Sequence, residues 1–105
     1  MRELVKQFNY ASQQFRLLMD NAGNGGIPKL RRVHAYEEAF AQLVKCHEIY
    51  ELLRAQTDEA EITRLHRTLN ENFKLYTEGW GRVKRVVQES RQARHERKRE
   101  ESFDY

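Results

Sequence analysis

The chain has 105 residues, 33% of them charged and 39% apolar, a mean hydropathy of −0.93 and a formal net charge of +3. Five glycines, one proline and 10% aromatics exclude collagen, a Pro/Gly-rich linker and a wholly disordered chain. No run approaches the roughly 18 apolar residues of a membrane span.

The first helix is predicted over Arg2–Asn21. Leu4, Phe8, Ala11, Phe15, Leu18 and Ala22 are spaced 4, 3, 4, 3, 4, one stripe of an amphipathic helix. Gly23-Asn24-Gly25-Gly26 ends it, through residues that tolerate a positive φ. Pro28 opens the second helix, where its missing N–H costs little. Leu30, Val33, Tyr36, Phe40, Leu43, His47, Tyr50 and Leu53 form its stripe over about 25 residues, or roughly 37 Å. Ala55-Gln56-Thr57-Asp58 breaks the pattern; Thr57 or Asp58 can cap a third helix, and Asp58 has Glu61 three residues on. That helix carries Ile62, Leu65, Leu69, Phe73 and Tyr76, and its short connection predicts antiparallel packing on the second. Glu78-Gly79-Trp80-Gly81 is expected to bend the chain, because two interior glycines cost roughly 2 kcal/mol in a helix. Trp80, Val83 and Val87 resume helical spacing; beyond them only Ala93 and Phe103 are clearly apolar.

The expected fold is therefore all-α: a small bundle of three amphipathic helices over residues 1–87 and a basic, partly disordered C-terminal helical arm over 88–105. Expected core residues are Phe8, Phe15, Leu18, Leu30, Val33, Phe40, Leu43, Leu65, Leu69 and Phe73. The spacings mix threes and fours without a sustained heptad register, which favours a globular bundle over a coiled coil. Surplus aromatics (Tyr10, Tyr50, Tyr76, Trp80) leave a homodimer open.

Catalytic and metal chemistry find little support. His34, His47, His66 and His95 never stand four apart, and no H-E-x-x-H or C-x-x-C set occurs, so no metal and no cofactor are expected. The single Cys46 excludes an internal disulfide and reads as an inert packing thiol. Without a signal-peptide block at Met1-Arg2-Glu3-Leu4, a reducing, cytoplasmic setting with no membrane partner is expected. The glycine loop ahead of Lys29, Arg31 and Arg32 follows a helix and fits no phosphate-loop motif, so it reads as a connector. The carboxylates alternate with Lys45, Arg54 and Arg64 at helical spacing, as solvated ion pairs do. The chain is not expected to be an enzyme.

Charge carries the main functional signal. Residues 1–81 balance at 11 basic and 11 acidic side chains. Residues 82–99 hold eight basic ones (Arg82, Lys84, Arg85, Arg91, Arg94, Arg97, Lys98, Arg99) against Glu89 and Glu96, and the last six residues are acidic. Arg91, Arg94 and Lys98 form one helical ridge, Lys84 lies on another side, and Trp80 stands at the root, placed to stack on a base or a partner side chain. Several cations along a line suit phosphates, whose neutralisation releases counterions. The expected function is a non-catalytic accessory protein that binds nucleic acid or a nucleoprotein complex through Trp80 and these eight residues. The alternative is a protein-interaction module, an adaptor or inhibitor, whose arm docks an acidic surface.

His34-Ala35-Tyr36, Leu52-Leu53-Arg54-Ala55-Gln56, the run Leu65–Phe73 and Gly79 or Gly81 together resemble a helical segment of the large helicase–methyltransferase proteins of phages and conjugative elements. That segment has two helices, the second with an R-x-x-L-N core and a tyrosine or phenylalanine and a glycine downstream; Arg67-Thr68-Leu69-Asn70 stands in that place, one residue shorter, with Phe73 and Tyr76 departing from the family's aromatic pair. The resemblance spans about residues 33–81 and implies a small phage or mobile-element protein associated with DNA transactions. It carries over no catalytic residue.

Overall fold

A computed structural model describes the backbone of residues 2–103 and the side chains of residues 2–89. Three helices run α1 Arg2–Gly23, α2 Lys29–Arg54 and α3 Glu59–Phe103, and no strand occurs among the described residues. The α1–α2 turn is closed without any positive φ, against the expectation from its glycines. Instead the Asn24 N–H donates to the Asn21 carbonyl (3.2 Å), that of Ile27 to the Asn24 carbonyl (3.2 Å), and that of Gly26 to Asn24 Oδ1 (2.9 Å). An asparagine side chain that mimics a backbone turn does the work assigned to glycine. At the start of α3, Asp58 Oδ1 accepts from the Glu61 N–H (2.8 Å), the N-cap bond its position predicts.

The chain does not bend at Glu78–Gly81. α3 is one helix of 45 residues, 19 more than α2, so about 28 Å of it exceeds its longest partner. Gly79 is there for close packing: a Cβ on it would run into the Met19 methyl of α1. Gly81 has open space around it. Asp104 and Tyr105, the tip of the expected disordered arm, lie outside the described residues.

Burial alternates in threes and fours along every helix. It passes through Leu4, Phe8, Ala11, Phe15, Leu18 and Ala22 in α1, Tyr36, Ala39, Leu43, Cys46, Tyr50 and Leu53 in α2, and Leu65, Leu69, Asn72, Tyr76, Gly79, Val83 and Val86 in α3. That is a heptad-like seam, which the apolar stripe of α1 already follows and those of α2 and α3 conceal. Small or polar residues hold key positions on it, and their larger neighbours sit one residue off. Ala39 is buried and Phe40 is 51% exposed; Cys46 is buried and His47 exposed; Asn72 is buried and Phe73 is 43% exposed. Leu30, also assigned to the core, is exposed, and Leu18 is half-buried. The cause is helix spacing: small side chains let the axes approach, and bulky ones are forced to the groove edge.

Candidate partner-binding surface on the second and third helices

Residues at equal height on α2 and α3 face one another across a groove. Tyr36 stacks on Tyr76 (centroids 4.4 Å, planes 13° apart) and donates its phenol to the Tyr76 carbonyl (3.0 Å). Burial first, and then the Tyr76 side chain, raise the Tyr36 phenol far above its ordinary pKa, so it stays a donor at every physiological pH. Phe40 lies 5.6 Å from the Tyr76 ring, Trp80 5.9 Å from Tyr36, and His47 6.5 Å from Phe73. The floor of the groove is buried, while Phe40, Val44, Phe73 and Trp80 stay exposed along its rim. Exposed apolar side chains on one face of the bundle make it a candidate interaction surface.

Charges border the rim unevenly. On α2, Glu37 and Glu48 have no ion-pair partner among the described residues; on α3, neither has Lys84. Arg85 pairs with Glu89 (3.3 Å), which also accepts from Lys29 at the start of α2 (2.9 Å). These two cations, Lys29 first, hold the Glu89 carboxyl below its ordinary range. Arg82 is exposed and lines one pocket with Asp20, at the end of α1, and Glu78 of α3.

Of the residues expected at the site, Trp80, Arg82, Lys84 and Arg85 are therefore exposed or rim residues, but they are not one cluster. Trp80 belongs to the aromatic groove, packed against Tyr36. Lys84 is on that same side of α3, and Arg82 and Arg85 point elsewhere at helical spacing. Because α3 is unbroken, positions 84, 91 and 98 share one line at intervals of seven, which corrects the expectation that Lys84 stands apart from the ridge. The side chains of Arg91, Arg94, Arg97, Lys98 and Arg99 lie outside the described residues. Of the surplus aromatics, Tyr50 is buried, Tyr76 half-buried and Tyr10 exposed on α1.

Other candidate chemistry is absorbed by packing. The Cys46 thiol is buried, 4.0 Å from the Phe8 carbonyl, and burial pushes its pKa up to about 11, so it is protonated and unreactive at neutral pH. His34 pairs with Glu38 (2.9 Å) and His47 with Glu51 (3.7 Å), and no group of three His, Cys, Asp or Glu suited to a metal occurs among the described residues. Arg32, after the glycine loop, donates to the Ala22 carbonyl at the end of α1 (2.9 Å) and so closes a helix terminus. Sequence reasoning missed Asn72, which is fully buried, donates to Ser12 Oγ (2.9 Å) and accepts from Arg16 (3.4 Å). Its signal was the heptad position between Leu69 and Tyr76. No helix among the described residues is long and apolar enough to cross a membrane. No family model matches the chain, and no curated protein or solved structure is significantly similar to it.

Proposed function

We propose that this chain is a small non-catalytic accessory protein of the cytoplasm that binds nucleic acid, or a nucleoprotein complex, through the basic stretch of α3. One observation carries the reading: α3 passes from the bundle into residues 82–99 without a break. Its helical backbone then spaces the eight basic positions over about 27 Å, at 100° per residue. Such a rod meets phosphates from several sides, and its contacts position the protein without reading bases. The resemblance of residues 33–81 to a segment of phage and conjugative-element helicase–methyltransferases supports a place in mobile-element DNA transactions. A second reading, a protein-interaction module, draws on the exposed Phe40, Phe73 and Trp80 rim.

The test is a salt titration of binding to generic DNA and RNA. Arg91→Glu, Arg94→Glu and Lys98→Glu together should weaken binding greatly and flatten the slope of log K against log salt by about 0.7–0.9 per lost contact. Equal affinities and slopes for wild type and the triple variant would overturn the nucleic-acid reading in favour of protein docking. Capture of partners from native lysate with and without nuclease separates the two directly.

A further inference from the structure

We propose that α3 takes its nucleic acid as a single strand, with bases stacked on Phe73 and Trp80 and phosphates following Lys84 and positions 91 and 98. The inference rests on the nucleic-acid reading above and names the form of the ligand. Helical spacing sorts the chemistry of α3 by side. At about 100° per residue, the positions of Trp80, Lys84, Arg91 and Lys98 all fall within about 20° of Phe73 around the axis. The carboxylate positions between 66 and 100, Glu71, Glu78, Glu89, Glu96 and Glu100, fall about 140–180° away. Three of these are held by cations: Glu71 by Arg16 (3.6 Å), Glu78 by Lys74 (3.9 Å), and Glu89 by Lys29 (2.9 Å) and Arg85 (3.3 Å). One line of the helix therefore carries two aromatic residues and then three basic ones, with no acid on it. From position 73 to position 98 it runs about 37 Å.

Phe73 is 43% exposed and Trp80 37%, and each is backed by an α2 ring, His47 at 6.5 Å and Tyr36 at 5.9 Å. Exposed rings held this way stack on bases of any identity, because every base has a π-face. In a duplex those faces are covered by neighbouring base pairs, so a single strand or a loop is the form that can use them. The rings alone would suit a protein partner equally well. Their continuation into basic positions on the same line is what selects a strand, whose bases and phosphates run side by side. On the α2 side of the groove, Glu37 and Glu48 have no ion-pair partner among the described residues. They repel phosphates, so the strand's backbone stays on the α3 side with its uncharged bases turned toward the groove.

The experiment titrates the full chain with an oligothymidylate of about 12 residues and with a duplex of the same length. Trp80 is the only tryptophan, so its emission reports the ring site directly. The single strand should quench it and bind several-fold more tightly than the duplex, although the duplex has the higher charge density. Phe73→Ala should weaken single-strand binding roughly 5- to 150-fold, the contribution of one stacked base, and leave duplex binding unchanged. Phe73→Tyr should restore it. Phe73 is exposed, so the bundle should survive both changes, and circular dichroism verifies that it does. Salt-sensitive binding of both forms that leaves Trp80 emission unchanged and ignores Phe73→Ala would overturn the stacking site while the basic stretch still binds phosphates. Binding to neither form would overturn the nucleic-acid reading as well and assign the rings to a protein partner.

Discussion

Alanine at Gly79 and alanine at Gly81 should change stability in opposite senses, although the two glycines are two residues apart in one helix. In a helix interior, Gly→Ala gains about 0.4–1 kcal/mol by reducing the freedom of the unfolded chain. At Gly81 nothing lies within 4 Å of the new Cβ, so that gain should appear whole. At Gly79 the Cβ enters the space of the Met19 methyl, with Tyr36 Cε2 at 3.9 Å. Overpacking costs about 1–3 kcal/mol, at the low end here because the tip of a methionine can swing away. Set against the helix gain, the net effect should be a loss of up to about 0.6 kcal/mol, and the two variants should differ by about 1 kcal/mol. For a domain of this size that is a gap of about 4–8 °C in Tm. Urea and thermal unfolding followed at 222 nm measure it. Met19→Ala should remove the penalty at Gly79 and leave the gain at Gly81 unchanged, a coupling that a double-mutant cycle isolates. A loss at Gly81 would show that α3 bends around Trp80 and that the continuous helix is wrong. Equal gains at both sites would show that Gly79 does not touch α1.

Asn72→Ala should cost about 1–3 kcal/mol in urea unfolding, because it leaves the Ser12 hydroxyl buried without its partner. Adding Ser12→Ala should then cost less than it does alone; strict additivity would refute the pair. The Cys46 thiol, raised to about 11, should resist thiol reagents in the folded protein at pH 8 and react on unfolding, whereas rapid native labelling would contradict its burial. The Glu89 carboxyl is depressed in the folded state, so its tie to Lys29 contributes above the ordinary carboxylate range and is lost as pH falls through the lowered value. Wild type and Glu89→Gln should therefore differ slightly at neutral pH and converge in acid; a constant difference down to the acid limit would exclude this link.

The three helices, their order and the cap at Asp58 were legible because apolar periodicity and turn chemistry act locally. The inner face of α2 was not. A stripe read by bulk puts Phe40 and His47 inside, yet Ala39 and Cys46 are the buried pair. Side-chain volume signals hydrophobicity, but the seam between close helices is selected by the room left between backbones. Asn72 escaped for a related reason: a polar residue enters a core only when a partner such as Ser12 waits on another helix, and that partner lies 60 residues away in sequence. Gly79 shows the same limit, since its penalty as a helix residue is local while its fit against Met19 is not. For the site, the charge asymmetry named the basic stretch at once. That Lys84 and positions 91 and 98 share one side follows from helical spacing alone; that the line continues from the packed part of α3 depended on continuity through two glycines, which helix propensity argues against.

That continuity also gives the bundle a task beyond holding its own core. Residues 82–103 alone would have to nucleate a helix, an event with a statistical weight of about 10⁻³. They would do so against like charges at Arg91/Arg94 and Arg94/Lys98, spaced three and four apart, each pair opposing the helix by about 0.2–0.5 kcal/mol. Inside the full chain no nucleus is needed, because Val83, Val86 and Val87 are already buried in helical conformation and the helix has only to propagate. A peptide of residues 82–103 should therefore be mostly coil at low salt, while the same residues in the full chain show helical Cα chemical shifts. Val83→Asp, which unseats α3 from the core, should reduce helicity well beyond position 90 as well as melting the bundle. Phosphate polyanion should recover helix in the isolated peptide by cancelling the repulsion. Equal helicity in the peptide and in the full chain would show that the basic stretch folds on its own and that the bundle does not serve as its nucleus.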